Sequence, residues 1–390
     1  MRRLLCLTLY ISITGLSVTG QPDPWKIKSG KPDPGNYYGI TVANGMIGIV
    51  SSPEPFKVKE VVLAGAYDLY GRGRVSNFLK SFNLLNMRLD IDGQSIGSNN
   101  ALNLQQELDM KKAAFTTSFD YGDKARISYT YYSLRQLPYT VLMDISITAK
   151  KDFRLGGASV MEAPDALKEV QNYYNEIDRP HVTISLLTST AKSPTGKLQL
   201  CASNTFLFPE AHGQEPRVIH EMWDNNMHLM KFSRNVKAGE TYRFSIVGSS
   251  ITSAHHDDPL NEAERASIFA KLEGRERLLQ FHTQAWDELW KSDITIEGDP
   301  QAQQDIHSML YHLYSFTREG TALSPSPMGL SGLGYNGHVF WDTELWMYPA
   351  MLVLHPELAK SMIEYRYQRL EAAKRNAFSK GYKGAMFPWE

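Results

Sequence analysis

The first part of the chain alternates apolar and polar residues with the period of β-strands. Between about residues 36 and 250, stretches such as "GITVANGMIGIV", "ARISYTYYSL" and "TYRFSIVGSSI" carry β-branched and aromatic residues in period-two alternation. Turn sequences such as "IDGQ", "DYGDK" and "VKAGE" separate these stretches. Many short strands without intervening helical patterns predict a β-sandwich, which we place at residues 24–255.

The hydrophobic period changes near residue 256. The segment "DDPLNEAERASIFAKL" opens with Asp and Pro, as the start of a helix does. Further on, Trp286 and Trp290 are four residues apart, which puts them on one face of a second helix. We therefore interpret residues 256–298 as a helical linker that docks on an apolar surface.

Helical patterns continue from residue 299 to residue 390. The segment "TELWMYPAMLVL" is nearly all apolar, so we expect it to be buried, with Pro349 ending or kinking its hydrogen-bond ladder. The next pattern, "HPELAKSMIEYRYQRLEAAKRNAFSKG", has Pro in its first turn and ends at Gly381. Helices of this kind do not close a core by themselves, and we expect the sequence to be a fragment of a longer protein.

Residues 1–20 have the pattern of a signal peptide. Arg2 and Arg3 precede the apolar run "LLCLTLYISITGL", and small residues before Gln21 predict cleavage near Gly20. The alternative is a short membrane anchor, but the apolar run is short for a bilayer. We therefore expect export to the periplasm or the cell exterior, with no membrane attachment after cleavage.

Composition and charge narrow the classes of function. The net charge of −1 over 390 residues argues against a nucleic-acid-binding protein. After cleavage only Cys201 remains, which excludes an intramolecular disulfide and a zinc site built on several cysteines. The 20 Tyr, 16 Phe and 7 Trp suit a carbohydrate binder, but they also suit a large all-β domain.

Two short motifs have a functional interpretation that we do not favour. The segment "AHHDD" could hold a metal, yet adjacent residues in a turn rarely all reach one ion, so a capped turn before the linker helix is preferred. The segment "GRGRVSNFLK" is briefly basic, and we interpret it as a solvated loop. The sequence contains no evident cofactor motif, and we expect neither a cofactor nor a metal.

The pair Trp341 and Asp342 is the strongest candidate for chemistry. A pyranose has an apolar face that stacks on an aromatic ring and hydroxyls that a carboxylate can hold. The alternative is structural: Asp342 caps a helix, with Thr343 and Glu344 in its first turn, and Trp341 fills a core. The residues alone leave both interpretations open.

The stretches "GHVFWDTELWMYPAMLVLHPE" and "YRYQRLEAAKRNAFSKGYKGAMFPWE" resemble glycoside hydrolase family 65. That family holds inverting α-glucoside phosphorylases and hydrolases that act on maltose, trehalose, kojibiose and related sugars. The segment "ANGMIGI" is similar to the first motif of the family's β-domain. The resemblance implies a multidomain β + α architecture: an N-terminal β-sandwich, a helical linker and an (α/α)6 barrel. Residues 299–390 would be the first helices of that barrel, truncated.

The resemblance also implies roles for individual residues. Asp342 would hold hydroxyls of the glucose being transferred, and Trp341 would form the wall of that subsite. Trp389 and Glu390, in "PWE", would contact the acceptor side, the alternative being a chain end without a role. His338 is a further candidate for the pocket lining, with a satisfied loop histidine as the alternative. The general acid and base would lie beyond residue 390, so no catalytic residue is assigned in this chain.

These inferences predict an exported inverting α-glucosidase that hydrolyses α-linked glucose disaccharides of the kojibiose or trehalose type. We prefer hydrolysis because phosphate supply outside the cytoplasm is uncertain. One alternative is an α-glucoside phosphorylase of the same family. Another is a non-catalytic glycan-binding β-sandwich module.

Overall fold

The computed structural model describes residues 22–30, 32–69, 71 and 75–390, and antiparallel strands make up most of its N-terminal part. The strands are β1 (Lys26–Ser29), β2 (Thr41–Ala43), β3 (Ile47–Ser51), β4 (Val58–Leu69), β5 (Ser76–Lys80), β6 (Asn83–Ile91), β7 (Gln94–Ser95), β8 (Ala101–Asp109), β9 (Ala114–Tyr121), β10 (Ala125–Ser133), β11 (Thr140–Ala149), β12 (Phe153–Glu162), β13 (Lys168–Arg179), β14 (Val182–Lys192), β15 (Gln199–Leu207), β16 (Ile219–Met222), β17 (Met227–Val236) and β18 (Thr241–Thr252). The predicted signal peptide lies outside the described residues.

The helices follow the strands. They are α1 (Pro259–Leu289), α2 (Pro300–Phe316), α3 (Tyr348–Leu354), α4 (Pro356–Tyr367) and α5 (Leu370–Ser379), with a π-helical turn at Thr343–Met347 and short 3-10 segments at Pro34–Asn36 and Gly334–Gly337. The predicted order of sheets first and helices afterwards is confirmed. The sequence boundaries at 255 and 298 fall in the loops on either side of α1. Within the described residues, no helix is long and apolar enough to cross a bilayer.

Two large sheets face each other across the main core. The nine-stranded sheet has the order β1-β8-β9-β10-β11-β18-β15-β14-β13, and the five-stranded sheet has the order β16-β17-β12-β6-β7. Successive residues of a strand point to opposite faces. In β18, Ile246 packs with Leu84 and Phe232 of the five-stranded sheet, whereas Val247 packs with Ala270 and Leu278 of α1. Helix α1 therefore covers the outer face of the nine-stranded sheet.

Helix α1 spans the segment interpreted as a linker. Asp258 caps its start by accepting a hydrogen bond from the backbone N–H of Asn261 at 3.2 Å, which confirms the capped turn. A kink at Gly274, with φ of 77°, separates its two halves. Trp286 and Trp290 lie on one buried face, as predicted, and Trp286 stacks on Tyr311 of α2.

The small sheet β2-β3-β4-β5 joins the sandwich to the later helices. A Cβ at Gly48 of β3 would lie 2.6 Å from the backbone carbonyl oxygen of Leu330, so this strand and the loop after α2 are in close backbone contact. The interpretation of residues 71–80 as a solvated loop is wrong for residues 76–80, which form β5. Strand β5 is covered on both faces, and its consecutive residues Asn77, Phe78 and Leu79 are all buried.

The expected burial of "TELWMYPAMLVL" is wrong for the described residues. Leu345, Trp346, Leu352 and Val353 are exposed, Trp346 at 75% and Val353 at 82%. Only Thr343 and Met351 of this stretch are fully buried, because the sandwich and the neighbouring helices cover one side of it. A second departure lies in the next segment, where the predicted single helix is divided into α4 and α5 at Gln368 and Arg369.

Buried His282 gives the fold an acid sensitivity. Its Nε2–H donates to the carbonyl of Lys112 at 2.9 Å, and its Nδ1 accepts from the backbone N–H of Arg135 at 3.2 Å. Only the neutral ring can satisfy both contacts. Burial, partly offset by the hydrogen bonds to backbone carbonyls, lowers the pKa of His282 from 6.5 to about 4.

The pKa of His282 is lower in the folded state than in the unfolded state. The stability that neutral His282 contributes is therefore fully present above pH 6.5 and is lost as the pH falls towards 4. One group contributes at most roughly 3 kcal/mol over this range. We expect the melting temperature to fall between pH 7 and pH 4.5, and to fall less in His282→Gln, whose neutral amide can keep both hydrogen bonds. Equal slopes in thermal melts of the two proteins would contradict this account.

Candidate functional site

The segment from Tyr335 to Asp342 holds the aromatic–carboxylate pair. Tyr335, Asn336 and Gly337 all have positive φ, at 54°, 56° and 72°. At Gly337 a Cβ would lie 2.0 Å from the ring of Phe78. Glycine is required at this position by both its backbone conformation and the close approach of β5.

The small sheet β2-β3-β4-β5 packs against this segment. The hydroxyl of Tyr67, in β4, donates to the carbonyl of Gly337 at 2.8 Å, and its ring stacks on Phe78 at 4.6 Å. Burial raises the pKa of Tyr67 well above its usual value, so the hydroxyl stays a donor. Next to it, His338 contacts the carbonyl of Ser76 at the start of β5.

Trp341 and Trp389 form an exposed aromatic pair. Their ring centroids are 5.4 Å apart, and the indole N–H of Trp341 donates to the carbonyl of Pro388 at 2.8 Å. Phe340, which is buried, meets Trp389 edge-on at 6.1 Å. Trp341 is 45% exposed, so it is not a core residue. The structure thus brings the "FWD" and "PWE" motifs together although Trp341 and Pro388 are 47 positions apart in the sequence.

His338 joins Glu390 to the same cluster. Its Nδ1 lies 3.2 Å from Oε2 of Glu390, while its Nε2 faces the Ser76 carbonyl. Both ring nitrogens therefore face oxygen atoms. The two partners agree with the alternative of a satisfied loop histidine. They also show that His338 sets the position of the Glu390 carboxylate.

Asp342 differs from the helix cap that its position suggests. Its own φ and ψ are helical, and its side chain makes no capping hydrogen bond. Thr343 is instead the residue that anchors the start of the helix, because its buried hydroxyl donates to the carbonyl of Pro325 at 2.8 Å. Within the described part of the chain, no hydrogen bond or ion pair engages the Asp342 carboxylate. It is therefore available for a ligand.

Arg366 of α4 is the positioning residue that the sequence did not reveal. Its Nε and Nη2 donate to the two carboxylate oxygens of Glu344 at 2.9 and 2.8 Å. Nη2 also donates to the carbonyl of Phe340 at 3.1 Å. The bidentate pair and the carbonyl contact fix both ends of the "FWDTE" motif. The role of Glu344 is thus structural.

The π-helical turn at Thr343–Met347 sets the direction in which α3 leaves the site. The backbone N–H of Tyr348 donates to the carbonyl of Thr343, five residues earlier. Pro349 has no N–H to donate, so the ladder is interrupted there as predicted. Single π-turns inside helices occur frequently at functional sites.

Comparison with a solved structure shows the fold. A candidate kojibiose phosphorylase from the human microbiome superposes with a TM-score of 0.76 at 18% identity, covering 94% of this chain and 51% of that protein. Models of glycoside hydrolase domains also match the chain: the family 65 N-terminal domain at residues 39–289 and the family 65 central catalytic domain at residues 307–390. The chain belongs to glycosyl hydrolase family 65.

Sequence similarity to curated relatives extends over most of this chain. A kojibiose hydrolase of Mucilaginibacter mallensis is 69% identical over 98% of the chain, and one of Flavobacterium johnsoniae is 58% identical over the same share. A kojibiose phosphorylase of Thermoanaerobacter brockii is 27% identical over 90% of the chain. The chain spans about half the length of these relatives, 56% of each of the two hydrolases and 48% of the phosphorylase.

Proposed function

We propose that the protein containing this chain is an inverting α-glucosidase that hydrolyses kojibiose or a closely related α-linked glucose disaccharide. The observation that carries the proposal is the 69% identity, over 98% of the chain, to a kojibiose hydrolase. The phosphorylase relative is far more distant, at 27%. Membership of family 65 favours α-glucosides as the substrates. The two hydrolase relatives favour water over phosphate as the attacking group.

In the proposed reaction, Trp341 and Asp342 hold the glucose unit that is transferred. The exposed face of Trp341 would stack on the apolar face of the ring, and the unengaged carboxylate of Asp342 would accept hydrogen bonds from its hydroxyls. Such contacts accelerate the reaction to the extent that they strengthen as the ring distorts towards the oxocarbenium-like transition state. Asp342 and Trp341 are therefore assigned to binding and distortion.

Trp389, Glu390 and His338 would form the acceptor side of the same pocket. Trp389 lies against Trp341, and His338 contacts the carboxylate of Glu390. An aromatic ring next to a fixed carboxylate can bind the second glucose by the same combination of stacking and hydrogen bonding. The proposal therefore places the scissile bond between the Trp341–Asp342 pair and the Trp389–Glu390 pair.

Hydrolysis with inversion needs one carboxylic acid to protonate the leaving oxygen and one carboxylate to activate water on the opposite face of the sugar. Neither role is assigned to the residues of this chain. The proposal also keeps the exported location predicted from residues 1–20. An exported enzyme would meet disaccharides in a compartment where water is abundant and the supply of phosphate is uncertain.

The test is an assay of the full-length protein with kojibiose, nigerose, trehalose and maltose, each with and without phosphate. Proton NMR would follow glucose, its anomer and glucose 1-phosphate. We expect β-glucose to be released first from one half of kojibiose, at a rate independent of phosphate. Faster formation of glucose 1-phosphate would establish a phosphorylase instead. No turnover of any of the four sugars would reject the α-glucosidase.

A further inference from the structure

A second open cleft lies on the five-stranded sheet, away from the cluster around Trp341. Its volume is about 1000 Å³, at the upper end of the range of ligand clefts. Strands β6, β12 and β17 form its floor, and the hairpin of β16 and β17 forms one wall. A cleft of this volume can accommodate a chain of several sugar units.

This cleft opens on the face of the sandwich opposite to the helices. Helix α1 packs on β14, β15 and β18 of the nine-stranded sheet, and the five-stranded sheet packs on the other face of that sheet. By strand alternation, buried Met87 and Leu89 point into the core, so Arg88 and Asp90 point outwards into the cleft. The residues that line the cleft include none of those assigned to the proposed substrate pocket, so the two sites are separate.

Small residues of β12 open the space at the centre of the cleft. Gly156 pairs with Asp90 of β6, and Ala158 pairs with Arg88. A Cβ at Gly156 would lie 2.0 Å from the Asp90 carboxylate, so the acid lies directly above the backbone of β12. Glycine in the interior of a strand often marks a place where a ligand approaches the backbone. The pattern is a floor of small residues with long polar side chains on both sides.

Trp223 supplies an aromatic surface at the edge of this floor. It lies in the turn between β16 and β17, where its backbone N–H donates to the carbonyl of Met227 at 3.2 Å. The guanidinium of Arg88 covers one face of the indole at 3.9 Å from the ring centroid. The side chain is still 54% exposed, which is a high value for the largest apolar residue. One indole surface is therefore fixed in place and accessible from the cleft.

Two of the three carboxylates that line the cleft are ion-paired, whereas Arg88, Arg154 and Arg217 have no carboxylate partner among the described residues. Lys231 and Glu221 form an ion pair across β16 and β17, and Asp92 pairs with Lys124 at 2.6 Å. Arg154 donates to the hydroxyl of Ser233 at 3.1 Å. The lining carries four cationic side chains and three carboxylates, so an anionic polymer would meet repulsive as well as attractive charges. A neutral polyhydroxylated ligand can donate to the acids and accept from the arginines, so it matches this lining.

We infer that this cleft is a second carbohydrate-binding site, which takes a neutral oligosaccharide or polysaccharide. The sugar chain lies along β12, stacks one ring on Trp223 and bonds its hydroxyls to Asp90, Arg154 and Lys231. Binding here would hold the protein on a glycan while the Trp341–Asp342 pocket meets shorter sugars.

The experiment is affinity electrophoresis of the full-length protein in native gels that contain dextran, glycogen or mixed-linkage β-glucan. A gel with polygalacturonate serves as the acidic comparison. All proteins carry Asp342→Asn, so that turnover of the polymer does not interfere. We expect at least one neutral polymer to retard the protein. In Trp223→Ala the dissociation constant for that polymer should be roughly tenfold higher.

A second variant, Ala158→Leu, fills the floor without removing the aromatic ring and should weaken binding to a similar extent. The matched control is Tyr38→Ala, which removes an exposed aromatic side chain that does not line the cleft and should bind as the parent does. The inference is overturned if no neutral polymer retards the protein, if only polygalacturonate does, or if both cleft variants bind normally. It is also overturned if Trp223→Ala converts a dimer into a monomer in gel filtration, because the cleft would then be an interface between copies. The assay requires no α-glucosidase activity, so its failure is distinguishable from failure of the proposed reaction.

Discussion

Replacing Asp342 by asparagine should lower kcat/KM on kojibiose by about 10²–10³-fold while leaving the melting temperature unchanged. The amide keeps the shape of the side chain but removes the negative charge that strengthens hydrogen bonds to sugar hydroxyls. Stability should not change, because the side chain makes no capping hydrogen bond. Steady-state kinetics of the full-length enzyme, together with a thermal melt, would measure both quantities.

The matched control for this variant is Asp287→Asn, an exposed carboxylate on α1. It changes the net charge by the same amount and should leave both kcat/KM and the melting temperature near the parent values. If Asp342→Asn retains full activity, the assignment of Asp342 to the sugar subsite is wrong. If it instead loses stability in proportion to activity, Asp342 has a structural role that its geometry does not indicate.

Replacing Arg366 by methionine should destabilise the protein by about 1.5–3 kcal/mol and also reduce activity. The variant leaves the Glu344 carboxylate, 27% exposed, without its bidentate partner, and it removes a donor from the Phe340 carbonyl. Methionine fills a similar volume, so the loss would reflect the charge and the hydrogen bonds rather than a cavity. Chemical denaturation and assays at a temperature where the variant is folded would separate the two effects.

Arg375→Met on the exposed face of α5 is the corresponding control, with an expected change below about 0.5 kcal/mol. A double variant, Glu344→Gln with Arg366→Met, tests the pair itself. Its loss should be smaller than the sum of the two single losses, because residues that share an interaction are not additive. Additive losses would show that Arg366 acts through the backbone carbonyls alone.

The strands and the order of the modules could be predicted because their signals are local. Period-two alternation in β10 and β18 and the turns between strands are properties of neighbouring residues. The exposure of Trp346 and Val353 could not be predicted in the same way, since burial depends on what packs against a helix. Strand β5 was missed because its short apolar core, Phe78 and Leu79, follows a basic stretch that resembles a loop.

In the candidate site, too, local features could be predicted from the sequence and long-range contacts could not. Trp341 and Asp342 are adjacent in sequence and could be singled out from residue chemistry, and the "PWE" motif was joined to them by family resemblance. The support from Tyr67 and Arg366 depends on contacts across 270 and 26 residues, for which the sequence holds no local signal. The helix cap was a reasonable inference from Asp342-Thr343, but the π-helical turn moved the anchoring role to Thr343.

The strand order of the nine-stranded sheet has a consequence for synthesis on the ribosome. Its central partners are distant in sequence: Thr140 of β11 pairs with Ser249 of β18, and Leu200 of β15 pairs with Thr252. Strand β18 is therefore inserted between β11 and β15 only after most of the sandwich has been translated. Until residue 252 has left the exit tunnel, β11 and β15 both have unpaired edges, which are prone to intermolecular pairing. Non-local pairing of this kind folds slowly, so the edges of β11 and β15 stay open to intermolecular pairing throughout this interval.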